Sequence, residues 1–301
     1  MALLLTITGD VFGRHECQGH PESQFRLREA LKGVPKGSPR EDPEPADMRD
    51  LSHVHHSGYI RKIEEVSSSC PEGRCCFLDS DTYVTHQSYD VARFAAGGAM
   101  QASLHALKNE PSFALVRPPG HHAGRSSAFG FCLFNNAAVA AAAALERINR
   151  VAIIDWDVHH GNGTQDIFYA SGRVMYCSVH QASWFPGTGY RDETGTGAGK
   201  GLTLNAPLPP GSGIDDYRRV FADEFIPAVA AFDPSLLIVS AGGDCLWDDP
   251  LGRMGLRPED FGELTRTLIG TGIPLSFVLE GGYGPSLASA IRSIYEAFTG
   301  E

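Results

Sequence analysis

The sequence predicts an α/β fold on a central, mostly parallel sheet, and three observations carry that prediction. Short apolar runs alternate with longer segments of helical composition over most of the 301 residues, which is the rhythm of βαβ units. The chemically unusual residues gather just after those runs: His121 and His122, then Asp155, Asp157 and His159, then Asp244, then Tyr283. A parallel sheet binds its ligands outside the carboxyl ends of its strands, so a site is expected there. No Gly-x-Gly-x-x-Gly opens a helix after the first strand, which argues against a dinucleotide-binding fold.

Residues 3–8 read as the first strand. Pro21 and Glu22 suit a helix start, and residues 24–32 follow as the helix. Residues 33–47, rich in Pro, Gly and charge, read as a loop, residues 59–67 as a helix, and residues 70–85 as an irregular stretch that holds Asp79 and Asp81. Residues 89–107 form an Ala-rich helix, broken or closely packed at Gly97-Gly98. The α/β rhythm then sets in. Strands are expected at 113–116, 151–154, 174–179, 202–205, 236–240 and 275–279, and helices at 135–147, 215–232, 258–270 and 286–298. A glycine-rich loop runs from Phe185 to Gly201.

The chain is 42% hydrophobic and 20% charged, enough for a sizeable core in one large domain or two. A net charge of −11 repels phosphate backbones, which excludes nucleic acid as a direct partner. Seven cysteines at irregular spacing do not suggest a disulfide framework. Cys70, Cys75 and Cys76 lack a second pair to complete a zinc site, so reduced thiols are expected. The apolar amino terminus has no basic flank or cleavage site, and no run approaches the roughly 20 apolar residues of a membrane span. A cytoplasmic protein without membrane partners is expected.

Residues 151–165 read Val-Ala-Ile-Ile-Asp-Trp-Asp-Val-His-His-Gly-Asn-Gly-Thr-Gln. Alternation along an extended chain would put Asp155, Asp157 and His159 on one side, with His160 on the other. Such groups are not buried cheaply together, and a divalent metal is the simplest reason for them. An isolated Asp-x-His is usually a solvated loop, but here it ends one apolar strand while Asp244 ends another. Asp157, His159 and Asp244 make three protein ligands with open positions, the pattern of catalytic zinc. His121-His122 follows Pro118-Pro119-Gly120, a rigid loop that favours fixed placement of groups able to move protons near neutral pH. Tyr283, after Gly281-Gly282, could donate to a developing oxyanion. Phe131 and Phe185 could form an apolar slot, although each alone suits a core position.

These segments resemble a known family. Arg-Pro-Pro-Gly-His-His-Ala, Gly-Phe-Cys-x-Phe-Asn-Asn, Asp-Trp-Asp-Val-His-His-Gly-Asn-Gly-Thr, Phe-Pro-Gly-Thr-Gly, Ser-Ala-Gly-Gly-Asp and Leu-Glu-Gly-Gly-Tyr occur here. Their order is similar to that of the zinc-dependent histone deacetylase-like amidohydrolases, a group that takes in class II histone deacetylases, acetylpolyamine amidohydrolases and acetoin-utilisation proteins. His20-Pro21-Glu22-Ser23 resembles the amino-terminal signature of that group. The resemblance implies the arginase/deacetylase fold in a single catalytic domain over residues 1–301. It implies one zinc on Asp157, His159 and Asp244, His122 as base and acid, and His121 as its electrostatic partner supported by Asp155. It further implies Asn162 as the group that orients His122, where many relatives carry Asp, and Tyr283 as oxyanion donor. Gly130, Phe131, Phe185, Leu251 and Gly282 would line a tunnel for an acyl-lysine-like chain. A structural monovalent cation, K⁺, would sit near Asp155, Asp157, His159 and Ser178.

The chain departs from the family around the third ligand, with Cys245-Leu246 where relatives often carry Ala-His, and at Leu251, where some polyamine-selective relatives carry Glu. A rim group that grips the substrate backbone corresponds to Asp79 or Asp81. The implied activity is hydrolysis of acyl amides, of acetyl-lysine in proteins or peptides, with acetylpolyamines as the alternative substrate. An arginase-type ureohydrolase would need further carboxylates, yet Gly161 and Leu246 stand at those places. A non-catalytic acyl-lysine-binding module would have lost the histidine pair or Tyr283, and both are present. Without a long early insertion, a monomer is expected.

Overall fold

The structure, a computed structural model, describes residues 3–299, so the outermost residues of the 1–301 span lie outside the described residues. Eight strands form one sheet. They are β1 (Leu5–Ile7), β2 (Arg40–Glu41), β5 (Ser112–Ala114), β6 (Val151–Asp155), β7 (Val174–Gln181), β8 (Thr203–Leu208), β9 (Leu237–Ala241) and β10 (Leu275–Leu279). Their order is β2-β1-β5-β10-β9-β6-β7-β8, and each neighbouring pair is parallel. Every residue of β6, β9 and β10 is buried, as expected of strands covered on both faces, and this is why they read as unbroken apolar runs. A short antiparallel hairpin, β3 (Cys76–Phe77) with β4 (Tyr83–Val84), stands apart.

Helices cover the sheet: α1 (Gln24–Lys32), α2 (Met48–Ser52), α3 (Ser57–Ser69), α4 (Ser88–Ala106), α5 (Asn136–Leu145), α6 (Asn162–Phe168), α7 (Ile214–Val220), α8 (Ile226–Phe232), α9 (Pro258–Ile269) and α10 (Leu287–Thr299). A π-type turn over Phe221–Phe225 joins α7 to α8. α4 is unbroken at Gly97-Gly98, and the reason for glycine is contact: a Cβ on Gly97 would lie 2.7 Å from Ala46 N and nearer still to Glu44 O. α5, almost all alanine, is capped by Asn135, whose side chain accepts from Ala138 N. Its small side chains let α5 lie close on α4 and on the sheet.

Four expectations fail. The loop at 33–47 contains β2, and the otherwise irregular stretch at 70–85 holds the short β3–β4 hairpin. β6 ends at Asp155, so alternation does not run on through His159; the chain bends over residues 156–159 instead. Cysteines expected as free thiols are paired, Cys17 with Cys75 and Cys70 with Cys76. Partners 58 residues apart leave no spacing to read, and the adjacent Cys75 and Cys76 are each bound to a different element. Cys132, Cys177 and Cys245 are free and buried.

Candidate active site

β5, β10, β9 and β6 are consecutive neighbours at the middle of the sheet, and each delivers one part of a single site at its carboxyl end. The loop after β5 is anchored by Arg117, which is fully buried. Its guanidinium donates to both carboxylate oxygens of Glu22, at 2.8 and 2.6 Å, and to the carbonyls of Phe12 and His15. A buried charge of this size is tolerable only when paired and hydrogen-bonded in this way. The Gly-His-Pro-Glu segment of the amino terminus is thereby fixed under the histidine loop.

His121 and His122 stand with ring centroids 4.1 Å apart. His121 Nδ1 lies 3.1 Å from Asp155 Oδ2, which also accepts from Tyr176 Oη at 3.0 Å. His122 Nδ1 lies 2.7 Å from Asn162 Oδ1. An amide oxygen there fixes Nδ1–H as the donor and leaves Nε2 as a bare acceptor. Burial favours a neutral ring in both. For His121 the carboxylates of Asp157 and Asp155 outweigh burial and hold its pKa well above the ordinary value. For His122 burial and the neighbouring rings of His121 and His159 keep its pKa well below. The two adjacent rings thus differ in proton affinity, His121 the higher and His122 the lower.

His159 Nδ1 is 3.1 Å from Asp157 Oδ1 and 3.1 Å from Asp244 Oδ2. One ligand atom from each of the three residues falls within a 4.8 Å cluster. Bonds of about 2.0–2.2 Å to a tetrahedral zinc put neighbouring ligand atoms roughly 3.3–3.5 Å apart, so this set fits the ion with little movement. Asp244 Oδ2 is buried with no aligned donor, while Oδ1 accepts from Val158 N at 2.9 Å. Burial, with the Asp157 charge beside it, pushes the Asp244 carboxyl up to about 7. Such a group is stabilised by a cation. Two glycines leave the room: a Cβ on Gly242 would lie 2.5 Å from Asp157 Cγ, and one on Gly281 would lie 2.7 Å from both Asp157 Oδ2 and Asp244 Cγ. The residues present therefore fit a divalent metal.

A cavity of about 240 Å³ opens above this floor. His121, His122, Asp157, His159 and Asp244 close its base, and Pro119, Gly130, Phe131, Trp184, Phe185, Leu251, Gly281, Tyr283 and Asp81 complete its lining. Burial raises the Tyr283 phenol well above its ordinary value, against the pull of Arg26, so it remains a neutral O–H donor. The Arg26 guanidinium lies 5.3 Å from the Tyr283 ring centroid.

Of the tunnel residues expected from sequence, Gly130, Phe131, Phe185 and Leu251 line the cavity, but Gly282 does not. Gly281 takes that place. Gly282, at φ +119°, packs against Gly243 and Leu287 while Gly281 N donates to Asp157 Oδ2 at 2.8 Å. The ring stacked on Phe185 is Phe129, at 5.0 Å, and Phe131 instead meets His20 and Tyr283 edge-on. Of the two rim candidates, Asp81 reaches the cavity, whereas Asp79 accepts from the Asp81 and Thr82 amides. Asp155 and Ser178 are register partners in β6 and β7, and Ser178 Oγ contacts His180 Nδ1 at 2.9 Å. His160 contacts Gln165 and Thr188, away from the triad. Gly161 has no room for a carboxylate, since a Cβ there would lie 2.5 Å from Tyr176 Oη, and Cys245 and Leu246 are buried in the core. Sequence reasoning missed Gly281, Arg26, Trp184 and Phe129; Trp184 and Gly281 were adjacent to motif residues, which was the available signal.

Comparison with known proteins agrees with this geometry. The family profile described as histone deacetylase domain matches residues 20–298. A probable deacetylase of Methanothermobacter thermautotrophicus is 41% identical over 290 residues, covering 94% of this chain and 86% of the relative. A probable deacetylase of Archaeoglobus fulgidus is 37% identical over 297 residues, covering 92% and 81%. The crystal structure of the HD domain of HDA15 superposes with a TM-score of 0.94 at 35% identity, covering 100% of this chain and 90% of that one.

Proposed function

The chain belongs to the histone deacetylase family of hydrolases, and from that premise we propose that it is a zinc-dependent deacylase acting on the acylated side chain of lysine. The carrying observation is the placement of a neutral acceptor, His122, and a neutral donor, Tyr283, around one cavity whose floor is the Asp157–His159–Asp244 cluster. When bound there, zinc supplies Lewis acidity, polarising an acyl carbonyl and lowering the pKa of a water.

This chain's residues do the rest. The apolar walls of Phe131, Phe185, Trp184 and Leu251 accept an aliphatic chain and exclude bulk water. His122 Nε2 takes a proton from the attacking water as its oxygen bonds to the acyl carbon, with Asn162 holding the ring in the required tautomer. His121, kept cationic by Asp155 and Asp157, offsets negative charge that develops beside it. Tyr283 donates to the oxyanion. His122 then returns its proton to the amine nitrogen as the C–N bond breaks, releasing a carboxylic acid and free lysine.

Among the described residues no Lys or Arg lines the cavity, and beyond the Asp157–His159–Asp244 cluster the one carboxylate lining it is that of the half-buried Asp81. That favours a neutral aliphatic chain in the tunnel, with Asp81 accepting from a peptide N–H outside, over a polyamine whose second cation would need a partner inside. A monovalent cation near Asp155, Asp157, His159 and Ser178, K⁺ by family resemblance, completes the reading. The test is kcat/KM on acylated lysine peptides against acetylpolyamines, together with Tyr283→Phe. Turnover should fall about 10²–10³-fold in that variant, with zinc content unchanged. Near-normal turnover would remove the oxyanion role, and a preference for polyamines would overturn the substrate assignment.

A further inference from the structure

We propose that Glu280 is a positioning residue for the histidine pair, its carboxylate fixing the backbone of Gly120 and His121 so that both rings face the cavity. The kinetic part of this inference rests on the deacylase reading above.

Glu280 follows β10 directly and is fully buried. Its Oε2 accepts from Gly120 N at 2.7 Å and from His121 N at 3.1 Å, and its Oε1 accepts from Ser240 Oγ at 3.2 Å. The two amides lie beyond the last ladder pair of β5, where no strand serves them. A buried amide without an acceptor costs about 1–3 kcal/mol, so a loop here needs a dedicated one. One carboxylate oxygen supplies it for both. Arg117 anchors the start of the loop through Glu22, and beyond it Asn136 Nδ2 donates to Pro118 O and Thr164 N to His121 O. Of these contacts, the one to Glu280 holds the His121 amide itself.

Its backbone extends the same role. Arg26 Nη1 donates to Glu280 O at 2.8 Å, and that guanidinium underlies the Tyr283 ring. Gly281, next in sequence, donates to the Asp157 carboxylate. Ser240 belongs to β9, which delivers Asp244. The residue therefore joins the proton-moving loop to the strand that carries the oxyanion donor. An error of about 1 Å in such placement is enough to cost 10²-fold in rate.

Two conservative variants separate geometry from charge. Glu280→Gln keeps the reach: its amide oxygen can accept from both backbone amides while its NH₂ donates to Ser240 Oγ. Glu280→Asp keeps the carboxyl group but is one methylene too short to reach both amides. Positioning predicts that Glu280→Gln retains kcat within about threefold and that Glu280→Asp loses roughly 10–100-fold. KM and the zinc content per chain should be little changed in either variant. Hydrogen exchange measured by NMR should show the Gly120 and His121 amides opening at least about tenfold faster in Glu280→Asp and near the native rate in Glu280→Gln. The reverse kinetic order, with Glu280→Asp the more active, would overturn the proposal, as would unchanged amide exchange in Glu280→Asp or a loss carried by KM alone. If the native protein hydrolyses no acyl amide, the deacylase reading fails, and the exchange measurement still decides whether Glu280 holds the loop.

Discussion

Replacing Gly281 by alanine should disable metal binding without unfolding the protein. The backbone there is not in the left-handed region, so alanine meets no conformational penalty of its own. Its methyl group, however, would stand 2.7 Å from both Asp157 Oδ2 and Asp244 Cγ, where 3.4 Å is ordinary contact. Relief needs a retreat of about 0.7 Å or more by a carboxylate, against a tolerance of about 0.2 Å for a metal ligand. Asp244 is the one that can turn, because its Oδ2 has no aligned donor, whereas Asp157 Oδ2 accepts from Gly281 N. A four-ligand zinc site is worth roughly 10–16 kcal/mol, so one lost ligand costs about 3–4 kcal/mol and zinc Kd rises about 10²–10³-fold. At a zinc concentration 100 times the native Kd, the metal stabilises the native fold by about 2.7 kcal/mol; a 160-fold weaker site keeps only about 0.3 kcal/mol of that. Zinc competition against a fluorescent chelator, with thermal unfolding at matched zinc, reads both quantities. A Kd within threefold of native, or an undiminished zinc-dependent rise in Tm, would refute the cradle argument.

Other outcomes follow from the same contacts. The Glu22 carboxyl is held down at about 2 because Arg117 outweighs burial. Its folded pKa lies below the ordinary 4.5, so its stabilisation is complete above that value and is lost as pH falls from there toward 2, about 3 kcal/mol in all. His15, pushed down to about 3 by burial, begins its own loss earlier, below 6.5. Urea midpoints at pH 7, 5 and 3 should show a shallower acid slope for Glu22→Gln, together with a loss of about 3–5 kcal/mol at pH 7 from the unpaired Arg117; equal slopes would contradict this. Asp81→Asn should raise KM for acyl-lysine peptides several-fold while kcat holds, because Asp81 lines the mouth rather than the floor; a drop in kcat alone would move Asp81 into the chemistry.

What the sequence disclosed, and what it hid, divides by the range of the forces involved. β10 and α1 occupy the residues expected of them, because an apolar run or a run of helix-forming residues is local. The Asp157–His159–Asp244 cluster was legible because its residues break off abruptly from such runs. β2 and α2 were not, since two or five residues gain almost nothing alone and persist through tertiary contacts. The Cys17–Cys75 pair was hidden by the 58 residues between its partners, and the Cys70–Cys76 pair by the adjacent Cys75, which spacing alone does not tell from Cys76. Gly282, implied by the resemblance, differs by one residue from Gly281, which lines the cavity, and two adjacent glycines offer no side chain by which a sequence tells them apart. Glu280 went unassigned although its motif was read, because its partners are backbone amides, and amides leave no mark in a sequence.

The place of β10 bears on how the protein can be made. It is the last strand among the described residues, yet it lies between β5 and β9. Until residues 275–279 emerge from the ribosome, the sheet exists as two separate pieces, β2-β1-β5 and β9-β6-β7-β8, each with a bare parallel edge of buried-type residues. Those edges are templates for pairing with other chains. A nascent chain stalled before Leu275 should thus carry the three cluster residues, Asp157, His159 and Asp244, and still be a client for chaperones.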